Sequence, residues 1–192
     1  KKITLTEALA RLGTKTLKTI LVEASAQKVF VSKNPQINEQ LKVLWEHSVA
    51  VGMLARDVLA LTGAQDSDSA YLAGLLHDIG KIGLPDRLLQ MPFQTLAPVE
   101  RQEVAKHPAR AAALLMGLDQ MREAVPLILA HHEYWDGSGY PNKLAASAIP
   151  MGARVLTVVN DYDGLMQGQI LNRKLSHDEA LDMIAASRGK RY

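Results

Sequence analysis

The chain has 192 residues, 47% of them apolar and 22% charged, with a formal net charge of +2, the balance of a soluble globular protein with a core large enough to fold without staples. It contains no cysteine, which excludes disulfides, iron–sulfur clusters and zinc–thiolate sites and fits a reducing cytoplasm. No apolar run reaches the ~18–20 residues of a membrane span, no secretory pattern opens the chain, and no concentrated basic run predicts binding to a nucleic-acid polymer.

In chain order, the punctuation is helical. Thr4-x-x-Glu7 is a capping box, and Leu5, Ala8, Leu9 and Leu12 keep helical spacing until Gly13. A second helical run covers about residues 15–28, and Asn34-Pro35 breaks the chain before the next element. Residues 39–61 form the longest run, with Leu41, Leu44, Trp45, Val51, Ala55, Val58 and Leu59 on one face. Residues 68–79 read as a core helix closed by Gly80, Pro98 and Pro108 each open short helices, and residues 121–131 follow with Pro126 as a kink or first-turn residue. Residues 153–165 are ambiguous: Val155, Val158 and Val159 favour a strand, yet the apolar positions do not alternate, so a buried helix is expected. Ser176-x-x-Glu179 starts a last helix to about Ser187, and the basic tail Arg188-Gly189-Lys190-Arg191 reads as solvated. The chain is expected to be all-α, with residues 1–38 as a separate small layer. Because it opens at Lys1 rather than Met, it is expected to be a piece of a longer protein.

Five of the six histidines, His47, His77, His107, His131 and His132, fall beside helix ends or on apolar faces. Each alone reads as a satisfied core residue. Together, with a His-Asp and a His-His pair, they point to a shared partner, because burying so many imidazoles separately would desolvate several polar groups. Imidazole with carboxylate and no thiolate is a donor set for first-row transition metals.

Specific strings sharpen this. His77-Asp78-Ile79-Gly80-Lys81 with Pro85 following, and His131-His132-Glu133-x-x-Asp136-Gly137-x-Gly139-Tyr140-Pro141, resemble the two signatures of the HD-GYP family, a branch of the HD metal-dependent phosphohydrolases. His107-Pro108 lies between them, Arg154-Val155-Leu156 leads into a final ligand helix, and Asn172-Arg173-Lys174 stands where the family has a basic segment. The likeness covers about residues 40–192. It implies an HD-domain helical bundle around a dinuclear metal site, with two iron or manganese ions sharing a bridging water. Carried over position by position, His47, His77, Asp78, His107, His131 and His132 become metal ligands, and Asp78 is the natural bridge. Lys81 is then placed to neutralise a phosphate oxygen, so Asp78 and Lys81 are the expected catalytic residues. Gly139, Tyr140, Arg173 and Lys174 are expected to meet substrate, with Tyr140 either stacking on a base or anchoring its loop. Glu133, Asp136, Asp161 and Asp163 are expected behind the ligands, the first two holding the histidines in one tautomer. Residues 1–38, through Glu7-Ala8-Leu9-Ala10-Arg11-Leu12-Gly13 and Leu17-Lys18-Thr19-Ile20, resemble the end of an HDOD domain, a regulatory relative of the HD fold.

Two positions depart from the family pattern. The last ligand is an aspartate there, but counting from Arg154 the position is Asn160, flanked by Asp161 and Asp163. One helix position is ~100° of rotation, so Asp161 does not simply replace it. Asn160 is a neutral and weaker donor, so the site is expected to hold its second metal loosely or to prefer a different ion. Val43, one turn before His47, stands where some members place a glutamate for a third metal, so two ions at most are expected.

The implied activity is hydrolysis of cyclic di-GMP to linear pGpG or GMP in bacterial signalling, a bridging hydroxide attacking phosphorus. Two alternatives stand beside it: an HD phosphohydrolase of another nucleotide, and a non-catalytic module that senses cyclic di-GMP or binds a partner. A homodimer or a regulatory protein partner fits either.

Overall fold

Helices make up every regular element among the described residues (4–32, 34–63, 66–171 and 173–192) of the computed structural model, which contains no strand there. The expected all-α fold is borne out. Thr4 and Glu7 cap α1 (Leu5–Gln27) reciprocally, and Gly13, at φ 75° and ψ 156°, kinks it where the sequence breaks. The stripe expected on Leu5, Ala8, Leu9 and Leu12 lies outside the described side chains. α2 (Pro35–Leu61) starts a turn earlier than expected, with proline in the first helical position, where its missing amide costs nothing. α3 (Ser67–Leu76), α4 (Asp86–Gln90), α5 (Pro98–Val104), α6 (His107–Leu115) and α7 (Ala124–Ala130) follow. α7 is shorter than expected because residues 119–121 form a 3-10 turn, and Pro126 sits in its first turn. The ambiguous stretch is a helix, α8 (Met151–Gln167), with Val155, Leu156 and Val159 buried. Burial between neighbours decides there against the strand preference of valine. Ser176 and Glu179 box the start of α9 (His177–Ala186).

α2, α3, α7 and α8 pack around one core that includes Val51, Leu75, Ile128 and Leu156. The crossing of α2 and α3 sets the geometry of everything that follows. A Cβ on Gly74 would lie 2.5 Å from the Gly52 Cα, so only two glycines permit this approach. Ala26 is buried in the main core, Phe30 packs on Trp45 at 5.3 Å, and the Tyr71 hydroxyl donates to Glu23 at 2.8 Å. The expected boundary after residue 38 lies inside α2. No helix among the described residues is long and apolar enough to cross a membrane.

Candidate metal centre

Three of the histidines sit where helices begin or end. His77 follows α3, His107 opens α6 and His131 follows α7. In each the ring folds back onto its own backbone, so Nδ1 meets a carbonyl three residues earlier: Gly74 at 2.6 Å, Val104 at 2.8 Å and Ile128 at 2.6 Å. A carbonyl only accepts, so each Nδ1 carries the proton and each Nε2 is a bare lone pair. His47, on α2, places Nδ1 2.5 Å from Asp163 Oδ2, and the carboxylate fixes the same tautomer.

The four bare nitrogens converge. His107 Nε2 lies 3.2 Å from His131 Nε2, and the Nε2 atoms of His47 and His77 lie 3.0 and 3.1 Å from Asn160 Oδ1 on α8. Lone pairs that face each other buried, with no proton between them, match a shared cation. Turning the Asn160 amide would satisfy its own two contacts but not the His107–His131 pair. Asp78 lies between the groups, with Oδ2 3.4 Å from His77 Nε2 and Oδ1 3.3 Å from His107 Nε2. Its Oδ1 is buried without a hydrogen-bond partner. Two clusters result, His47–His77–Asp78 and His107–His131–His132, each with donor atoms within 4.8 Å of one another.

Electrostatics suit ligation. Burial pushes His77 down to about 4 and lowers His107, His131 and His132 too, which keeps these rings neutral at neutral pH. Burial alone would raise the Asp78 carboxyl. The Lys81 ammonium, donating to Oδ2, opposes this, and the group is held well below the usual carboxylate range.

Local packing explains the strings around the ligands. Gly80 lies in the turn Ile79–Lys81, and a methyl group there would overlap the His107 carbonyl oxygen and sit 2.8 Å from Ala111 N. The glycine therefore lets α6 approach and delivers His107 to Asp78. Lys81 Nζ donates to Asp78 Oδ2 at 2.7 Å from a half-buried position. Glu133 is buried but does not set histidine tautomers as expected. Its oxygens accept the amides of Asn142 at 2.6 Å and Leu144 at 3.0 Å and pin the loop, while the three backbone carbonyls hold the rings. Asp136 is exposed and closes a turn onto the Ser138 amide at 2.9 Å. Gly139 is buried, and a side chain there would meet the Glu133 Cα at 2.5 Å, so the loop's packing requires glycine at this position. The Tyr140 ring lines the cavity and lies near-parallel to His132 at 4.8 Å and to Phe93 at 6.1 Å, contacts that anchor its loop.

A family profile described as HD domain matches residues 26–192. The chain belongs to the HD domain family. This HD domain is 34% identical over 145 residues to a probable cyclic di-GMP phosphodiesterase of Vibrio cholerae, covering 71% of this chain and 32% of that protein. It is 28% identical over 190 residues to a cyclic di-GMP phosphodiesterase of Thermotoga maritima, covering 91% and 51%. The chain thus spans about a third to a half of the length of these relatives. The solved structure of an HDG"Y"P protein from Bdellovibrio bacteriovorus shares the fold, with a TM-score of 0.66 at 22% identity over 92% of this chain and 60% of that one.

Beside the clusters, the HD domain carries a cavity of about 470 Å³. His47, Lys81, His107, His132 and Asn160 line one side, and Leu88, Met91, Pro92, Phe93 and Leu96 form an apolar wall. Arg173 and Lys174 are not brought there. Both are exposed, and Arg173 pairs with Glu179 at 3.1 Å in the cap of α9. Asn172 lies outside the described residues. The tail corrects a further expectation, since Arg191 is not solvated but pairs with Asp161 through Nε at 2.5 Å and Nη2 at 2.8 Å. Asp161 also accepts the Tyr192 hydroxyl at 2.6 Å, so it holds the tail and does not support a ligand. Arg191, Tyr134 and the wall at residues 88–96 were not among the expected site residues. Tyr134 stands at an unspecified position inside the His131–Pro141 string, and the tail and the wall carry no motif or period, so their signal is tertiary only.

Proposed function

We propose that this HD domain is a metal-dependent phosphodiesterase of HD-GYP type that opens cyclic di-GMP to pGpG and onward to GMP in cytoplasmic second-messenger signalling. The observation that carries this is the set of four bare, buried Nε2 atoms on either side of Asp78, next to a cavity with a lysine in its wall. His47, His77, Asn160 and Asp78 Oδ2 would hold one divalent ion, and His107, His131, His132 and Asp78 Oδ1 a second. Nitrogen and oxygen donors without thiolate suit iron or manganese. Two such ions supply a water nucleophile at neutral pH and bind phosphate oxygens.

The chain's own groups do the rest. The Nδ1–H bonds to Gly74, Val104 and Ile128 keep three imidazoles in ligating orientation. Lys81, already 2.7 Å from Asp78, meets the phosphate at the same edge and stabilises charge that develops on it. The wall at residues 88–96 and Tyr140 give the cavity its apolar side. The relatives' names support the substrate class. Residues 39–192 carry the phosphohydrolase chemistry in this reading, and residues 1–38 form an HDOD-like segment packed onto that core, through which a second copy or a regulatory protein acts.

Asn160 favours one rival, a module that binds cyclic di-GMP without turnover. A combined measurement separates them. Protein purified without chelator is assayed for iron, manganese and zinc, then incubated anaerobically with cyclic di-GMP while nucleotides are resolved by chromatography. About two metals per chain and metal-dependent pGpG or GMP are expected. Substrate bound but intact after iron and manganese reconstitution would transfer the assignment to the sensor.

A further inference from the structure

The guanidinium of Arg191 is fixed on one edge and one face. Its Nε and Nη2 donate to the two oxygens of Asp161, and its Cζ lies 4.4 Å over the Tyr134 ring. The backbone locks the same segment, since the Trp135 amide donates to the Arg191 carbonyl at 3.2 Å and the Asp136 amide to the Lys190 carbonyl at 2.9 Å. Arg191 lines the cavity together with Asp161, Asn160 and His132, and its side chain keeps 30% of its surface exposed. What remains to a ligand is the opposite edge, where Nη1 and the second Nη2 hydrogen form a coplanar pair of donors.

Charge decides what that edge suits. The positive charge is already balanced by Asp161, so the edge offers direction more than field, whereas Lys81 serves the phosphate. A neutral group with two coplanar acceptors is the complement. Guanine presents that pair as N7 and O6, while adenine presents N7 beside an N6 donor that would meet arginine hydrogens head-on.

We propose that Arg191 is a specificity-determining residue that reads the N7/O6 edge of a guanine in the cyclic dinucleotide and selects guanine over adenine. This rests on the phosphodiesterase reading for its ligand class. Asp161 and Tyr134 are positioning residues, holding the guanidinium in one plane.

The test uses the manganese-loaded chain and hydrolysis-resistant phosphorothioate forms of cyclic di-GMP, cyclic di-AMP and a 7-deazaguanine analogue that lacks N7. Calorimetry gives the three dissociation constants, and hydrolysis of the ordinary cyclic dinucleotides is followed separately. The unaltered chain is expected to bind the guanine ligand on the order of tenfold to a hundredfold tighter than the adenine one, and to lose much of that with the 7-deaza analogue. Arg191→Met and Arg191→Lys, checked by thermal melting, should both collapse the preference, because lysine keeps the charge but not the fork. An unaltered chain without base preference, a 7-deaza analogue bound as tightly as guanine, or a folded variant that keeps the preference would each overturn the proposal. Base preference without hydrolysis would instead remove the phosphodiesterase reading and leave Arg191 as the guanine contact of a sensor.

Discussion

Asn160 offers an uncharged oxygen where two bare imidazole nitrogens, those of His47 and His77, meet it at 3.0 and 3.1 Å. A cation in that cluster faces one carboxylate, Asp78, whose Oδ2 is already shared with Lys81 at 2.7 Å. Asn160→Asp adds a full negative charge at the closest point, so metal affinity of this cluster should rise roughly tenfold or more. A manganese titration followed by calorimetry reads it, and an unchanged affinity would put the ligand of α8 elsewhere. Lys81 supports a different prediction, because it touches the bridge and the cavity but supplies no donor to a metal. Lys81→Ala should lower kcat by about a hundredfold to a thousandfold while both ions remain bound. A variant with its metals and its full rate would take lysine out of the chemistry.

Among the elements, the turn Ile79–Lys81 and the start of α6 are the tightest joint. Gly80→Ala forces a methyl group into the His107 carbonyl, and α6 must move to admit it. The expected result is about 1–3 kcal/mol of lost stability with helix content kept, as overpacked cores show, and a fall in metal content as His107 leaves Asp78. Metal analysis and a denaturant melt check both, and a variant with full metal content would show that the joint tolerates a side chain. This joint also shows what the sequence made legible. The His-Asp-x-Gly-Lys string, the paired histidines and the long amphipathic run each mark a ligand-bearing element, because helix ends and apolar stripes leave local signals. The reason for Gly80 was not legible, since it lies in a backbone 27 residues away. The same holds for Arg191, which looks like part of a short basic tail until Asp161 and Tyr134 are seen around it. Glu133 and Asp136 looked like supports for the histidines by proximity in sequence, yet the helix-end carbonyls were nearer in space.

Taken as a whole, the molecule places its most polar buried groups at the meeting of α2, α3, α6, α7 and α8, so a ligand there ties five helices together. Without a cation, the chain would hold several neutral imidazoles beside the Asp78 carboxylate in a buried centre, with lone pairs opposed at 3.2 Å between His107 and His131. A cation removes that opposition only in the folded state, because the unfolded chain cannot gather the donors. Binding therefore appears as stability: at a free manganese concentration a thousand times the dissociation constant, the gain is about 4 kcal/mol per site. For a domain of this size each kcal/mol moves the midpoint by about 2–4 °C, so one filled site should raise it by roughly 8–16 °C over the chelated protein. The two clusters should separate in such a titration, the His107–His131–His132 side filling first and the Asn160 side at higher concentration. Calorimetric melts across a manganese series test this directly. A midpoint that does not respond to metal would mean that the opposed imidazoles are held apart by the helices alone, and that the centre is not a metal site.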